Sequence, residues 1–340
     1  MLSFYIVSVF SLVILILSGC GKGNKKPNVD DIIISVEVQR FDLDARENLI
    51  GKKPVEVSAM KKSYPEFFPI FSGQILEIGE ITDSSYTEED ALTDYFNDPY
   101  VIELYDSVAT HFPDLNEFEK QMEQSLRYVK FYFPEKPTPK LISFISNFTY
   151  AAITVDTSVL AVALDMYLDT GFKYYKSMFP QFIYEKFKPE YMAANSLKTL
   201  ALEYFPYQMK GNTLLDRMID NGRLIYFAEM TCDECEDYQL IGMNEEDEIW
   251  CEENEPEIWN FLIEHDLVYS TQQGEFNKYI EDGPNTSGMP VEAPGNVGSW
   301  IGWQIVRQYM ERNNEVTLDE LMKADDAEMI LQMARYKPRN

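Results

Sequence analysis

Histidine is nearly missing from this chain: of its 340 residues only 2 are imidazoles, His111 and His265, and they lie far apart. A Ser-His-Asp triad, a His general base or a pair of zinc-binding imidazoles one helical turn apart therefore has almost no material to work with. Each histidine is expected at the surface or at a helix end. Cysteine is scarce too, at 4. A zinc ribbon needs two C-x-x-C pairs, and only Cys232-Asp-Glu-Cys235 has that spacing. Basic residues are outnumbered, 29 Lys+Arg against 57 Asp+Glu, for a net charge of −28. So acidic a chain repels phosphate backbones, which excludes nucleic acid as a partner. There is no G-x-S-x-G elbow, P-loop, dinucleotide fingerprint or EF-hand loop. Carboxylates are too many to single out an acid and base pair.

Long hydrophobic runs are limited to one, residues 4–17, broken only by two serines. As a helix it would reach about 21 Å, short of the ~30 Å hydrocarbon core of a bilayer. Leu17-Ser18-Gly19-Cys20 follows at once. Small residues after a short apolar segment fit a processing site, and a cysteine at its end makes a lipobox. Residues 1–19 are expected to be a lipoprotein signal peptide, and Cys20 the lipid-bearing first residue of the mature protein. Acyl chains contribute about 0.8 kcal/mol per buried CH₂, so several of them anchor the body to its bilayer. Residues 20–30 read as a flexible, solvated tether, with Lys22, Lys25 and Lys26 able to meet anionic headgroups. An exported protein sees an oxidising space. One disulfide is expected among Cys232, Cys235 and Cys251. Cys232 with Cys235 is the candidate pair, although the residues leave the pairing open. The acidic neighbours Asp233, Glu234 and Glu236 argue against a reactive thioredoxin-like thiol there.

Aromatics at 14% and hydrophobic residues at 45% are ample for a packed core. Residues 32–41 alternate from Ile34 onward, as a half-buried strand does. Leu141 to Phe148 and the β-branched run 153–165 extend the sheet. Helical stripes occur at Leu214, Leu215, Met218, Ile219 and Ile225, at Ile258, Phe261 and Leu262, and at Trp300, Ile301, Ile305 and Tyr309, the last opened by Ser299 as a possible N-cap. Residues 282–298 are turn-rich and read as a surface loop. The expectation is a single helix-rich α+β domain with a small sheet over 31–340.

Charge is uneven. Residues 20–62 carry nine basic and seven acidic side chains, and 229–257 carries thirteen acidic ones with no basic partner. A solvated face is the plain reading of such a run, and a cation site the sharper one.

The segment Trp250-Cys251 to Glu264 with Tyr269-Ser270-Thr271 resembles the gliding-motility lipoprotein family GldB. So does Gly298-Ser-Trp300-Ile301-Gly302-Trp303-Gln304. Tyr64-Pro65-Glu-Phe67-Phe68-Pro69, Tyr132-Phe133-Pro134 and Ala163-Leu164-Asp165 agree in the same order. The resemblance implies a Bacteroidota envelope lipoprotein needed for gliding, linked to type IX secretion and to a small soluble companion, GldC. It places the body in the periplasm, on the inner or the outer membrane. The family is also similar to zinc peptidases that carry H-E-x-x-H and a later Glu-Gly pair. Here the matching helix reads Ala194-Asn195-Ser196-Leu197-Lys198-Thr199 and the later pair Asn221-Gly222, which cannot rebuild a metal site. The resemblance thus implies a degenerate zincin-like fold without catalysis, metal or cofactor. The alternative from another class is a metal-dependent envelope hydrolase using scattered carboxylates and one histidine.

Overall fold

The alternation that begins at Ile34 ends in a short strand, β1 (Val38–Arg40), which runs straight into helix α1 (Phe41–Asn48). A computed structural model describes residues 26–78 and 86–339, so Cys20 and its signal segment lie outside the described residues. Two longer helices, α2 (Pro99–His111) and α3 (Asn116–Tyr132), precede β2 (Lys140–Phe144). The β-branched run folds into a hairpin, β3 (Ala152–Val155) and β4 (Val159–Ala163). The sheet order is β1-β2-β4-β3, with β2 parallel to both β1 and β4. Only the edge strand β3 is antiparallel. Leu141 pairs with Leu160 and Ile142 with Ala161. Every residue of β4 is buried, which is why that segment is a continuous apolar run and not an alternation.

The C-terminal half is helical. α4 (Met192–Tyr204) packs on β3 and β4 and is followed by α5 (Leu214–Thr231), α6 (Glu255–Glu264), α7 (Val297–Arg312) and α8 (Ala327–Ala334). Thr213 opens α5 with a capping box: its hydroxyl accepts from Asp216 N at 3.2 Å, and the Asp216 carboxylate accepts from Thr213 N at 2.8 Å. The apolar stripe of α5 suggests one buried face, yet Asp220, Gly222, Arg223 and Leu224 are buried as well. Its other faces meet α4, α7, α8 and the short helix Leu318–Lys323. α5 and α7 form the centre of the helical half. They cross where Gly222 faces Gly302: a Cβ added at Gly222 would lie 2.4 Å from the Gly302 carbonyl carbon.

Two local expectations change. Ser299 is not a cap. Asn296, in the left-handed region at φ 66°, precedes α7, and the buried Ser299 hydroxyl accepts from Asn221 Nδ2 at 2.9 Å. The tether, in turn, is docked before it reaches residue 30. Val29 is 2% exposed, and Lys26 pairs with Asp233 at 3.0 Å and lies 5.4 Å from the Tyr128 ring centroid. An aromatic face beside a carboxylate holds an ammonium better than water-exposed linker does.

Most of the aromatics in the quoted segments are core, with Tyr269 exposed. Phe41 packs edge-on against Tyr64 and Phe67, each at 5.0 Å. Trp300 and Trp303 are buried and T-shaped to one another, whereas Trp250 and Trp259 are only partly covered. The architecture is α+β and helix-rich, with a small open sheet and one continuous hydrophobic core.

Candidate functional site

α4 positions the segment matched to the peptidase helix, and its 3.6-residue period distributes those side chains. Ala194 and Leu197 point into the core at 0% exposure, and Ser196 is buried with no hydrogen-bond partner for its hydroxyl among the described residues. Asn195 and Lys198 line a cavity of about 290 Å³. Ile183, Lys186 and Phe187, the turn at Gly242 and two residues of the 282–298 loop, Asp282 and Asn296, also line it. Asn195 Nδ2 donates to the Tyr167 hydroxyl at 3.1 Å, and the Tyr191 hydroxyl donates to the Met243 carbonyl at 2.7 Å. Lys186 pairs with Asp282 at 2.6 Å. Lys198 Nζ takes part in no hydrogen bond or ion pair among the described residues. It lies so close to the backbone of Gly242, a left-handed helix cap, that a Cβ added there would be 3.4 Å from it.

Burial pushes the Lys198 amine down to about 8 from an ordinary 10.5, with nearby Lys186 acting in the same direction and Asp282 against it. Between pH 8 and 10.5 the unfolded chain holds a proton that the folded chain has released, so stability rises with pH across that window. Below pH 8 the fold carries the whole cost, about 3 kcal/mol at 1.36 kcal/mol per pH unit. Lys198→Met is therefore expected to raise the melting temperature at pH 7 by several degrees, a gain that disappears by about pH 10.5. Paired thermal melts at the two pH values test this. An unchanged or lower melting temperature at pH 7 would show that the amine is not held at a cost.

The second matched pair has other duties. Asn221 donates to Ser299, and Gly222 supplies the helix crossing. Neither lines the cavity. The histidines do not converge either. His111 ends α2, 3.7 Å from an Asp169 carboxylate oxygen, and His265 follows α6 with Nδ1 3.0 Å from the Phe261 carbonyl. Among the described residues, no group of three or more His, Cys, Asp or Glu side chains is placed to hold a metal ion.

The acidic stretch 229–257 is more than a solvated face. The Glu229 carboxylate accepts from Trp303 Nε1 at 2.7 Å and from Arg307 Nε at 2.9 Å, and Asp237 pairs with the other side of the Arg307 guanidinium at 2.9 Å. Arg307 stacks 3.6 Å from the Trp303 ring centroid. Glu255, 1% exposed, accepts from the Tyr336 hydroxyl at 2.7 Å. Glu245, Glu246, Asp247 and Glu248 form the first turn of the helix Glu245–Glu253, where the positive end of the helix dipole favours them. Cys232, at the C-terminus of α5, is joined to Cys235 by a disulfide with a Cα–Cα distance of 5.6 Å, and Cys251 is a buried thiol. A five-residue helix, Asp237–Ile241, starts directly after this pair, where the sequence suggests none.

Sequence reasoning missed Lys186, Asp282 and Asn296 as site residues. The only signal was the turn-rich character of 282–298, which marks a loop without saying which of its side chains turn inward.

Compared with known proteins, residues 22–338 match the family model described as "Gliding motility protein GldB". No curated protein and no solved structure matches the chain.

Proposed function

Because this chain belongs to the gliding motility GldB family, we propose that it serves the gliding and type IX secretion machinery as a non-catalytic envelope lipoprotein, held to its membrane by acylated Cys20. The observation that carries this reading is the family match over residues 22–338. The lipobox ending at Cys20 supports the anchor, and no helix among the described residues is long and apolar enough to cross a membrane. The docking of Lys26 beside Asp233 supports an orientation as well. The few residues between Cys20 and Lys26 span at most about 20 Å, so the end of the body that carries the Cys232–Cys235 turn faces the bilayer. The body stands in the periplasm, with other envelope proteins of the pathway, a GldC-type companion among them, as its partners.

A degenerate zincin-like fold is part of the same reading. What supports it is a mixed sheet with an antiparallel edge strand packed on α4, the helix that carries Asn195 and Lys198 where the peptidases carry metal-site residues.

The test is an in-frame deletion scored for colony spreading and for secretion of an abundant type IX cargo, complemented with wild type and with Cys20→Ala. Both phenotypes are expected to be lost and to be restored only by the lipidated form. Normal spreading and secretion in the deletion strain would overturn the role. Full rescue by Cys20→Ala would overturn the anchor.

A further inference from the structure

We propose that the cavity between α4 and the 282–298 loop is a binding site for a monocarboxylate carrying a small apolar body, with Lys198 as the group that receives the carboxylate. The inference stands on the cavity and does not depend on the gliding role.

Three observations carry it. First, Lys198, partly buried, lines a half-open cavity of about 290 Å³ without an ion-pair or hydrogen-bond partner among the described residues. An unpaired charge in such a place is costly, and a bound anion removes the cost. Second, the charge around it is suited to one negative unit. Lys186 already shares its charge with Asp282 at 2.6 Å, which leaves a net single positive charge in the cavity. The Asp282 carboxylate repels a second negative charge, so a carboxylate fits this site better than a phosphate dianion. Third, Asn296 lines the same cavity and its Oδ1 is buried with no partner among the described residues, an acceptor that a donor such as an amide N–H would satisfy. Ile183 and Phe187 supply apolar wall. The volume stands at the lower end of ordinary ligand pockets, about 300–1,000 Å³, which limits the occupant to a small acid or the last residue of a peptide. Burial and the neighbouring Lys186 lower the Lys198 pKa, a cost that a bound anion would relieve.

The test is isothermal titration calorimetry on the detergent-solubilised full-length protein at pH 7. The probes are N-acetyl-leucine, N-acetyl-leucinamide, free leucine, N-acetyl-alanyl-leucine and inorganic phosphate. At least one of the three carboxylate probes is expected to bind at least tenfold more tightly than the amide and than phosphate. Whether leucine or the capped dipeptide is preferred tells a free acid from a peptide end. Lys198→Met is expected to weaken the best probe at least tenfold while melting no lower than wild type, so that lost binding is not lost folding. Equal affinity for acid and amide, tighter binding of phosphate, no measurable binding of any probe, or full affinity in Lys198→Met would each overturn the proposal.

Discussion

Gly302→Ala is expected to destabilise the fold by more than about 3 kcal/mol, or to prevent folding, because the new methyl group has no space to occupy. A Cβ at Gly302 would lie 1.8 Å from the Met218 carbonyl oxygen and 2.4 Å from its carbon, and both belong to the backbone of α5. Backbone cannot rotate aside as a flexible side chain can. The only escape is to push α5 and α7 apart, and these two helices bury most of their residues against each other and their neighbours. Gly222→Ala meets the same crossing from the other side and should cost a similar amount. The double variant should cost much less than the sum, since the helices need to separate only once. Gly274→Ala is the control: its added Cβ meets nothing within 4 Å, and in the helix Gln273–Ile280 it should stabilise by up to about 1 kcal/mol. Urea unfolding midpoints decide the matter. A Gly302→Ala protein that unfolds at the wild-type midpoint would contradict the close crossing.

Arg223→Met comes next, at about 3–5 kcal/mol. Arg223 and Asp220 are both 0% exposed and pair at 2.5 Å within α5. Burial raises the Asp220 carboxyl pKa and lowers that of the Arg223 guanidinium despite their attraction, so desolvation outweighs pairing on both sides. Such a pair stabilises little by itself, but removing Arg223 leaves the buried Asp220 carboxylate with backbone N–H contacts and the more distant Arg217 at 3.9 Å as its remaining support. Arg223 also donates to the Met322 carbonyl at 2.7 Å and the Ala324 carbonyl at 3.3 Å, tying the C-terminal segment to α5. Arg223→Met should therefore be worse than the double variant Arg223→Met with Asp220→Leu, which removes the stranded carboxylate. The Met322 and Ala324 carbonyls and the Gln208 N–H would still lose their partners in the double variant. If equilibrium unfolding shows the double variant to be the less stable of the two, the stranded charge is not the source of the loss.

These two effects mark where sequence pattern stops being informative. Periodicity located the helices that became α5, α6 and α7, because a 3.6-residue apolar stripe needs no knowledge of what covers it. It did not show that α5 is covered on its other faces too. Asp220 and Arg223 look like ordinary surface charges in the sequence, and only the elements packed over them make them buried. Gly222 and Gly302 look like weak points in a helix, whereas their lack of a side chain is what lets two backbones touch. The β-branched run 153–165 was legible as part of the sheet, but its division into the hairpin β3–β4 and the antiparallel edge position of β3 depend on pairings the sequence does not show.

The candidate site divides in the same way. Asn195 and Lys198 entered the sequence reading only within a helix that cannot rebuild a metal site, and Lys186, Asp282 and Asn296 did not enter it, because a cavity is made by loops whose inward side chains follow no period. The sequence by itself determined the lipobox at Cys20, the acidic charge, the helix-rich α+β class and the family, since each is written in contiguous residues or their spacing. Tertiary structure alone decided which charges are buried, which acidic residues of 229–257 are spent on Arg307, and that Lys198 lines a cavity without a partner among the described residues. Burial and pairing are properties of what lies opposite a residue, and that is set by chain segments tens to hundreds of positions away.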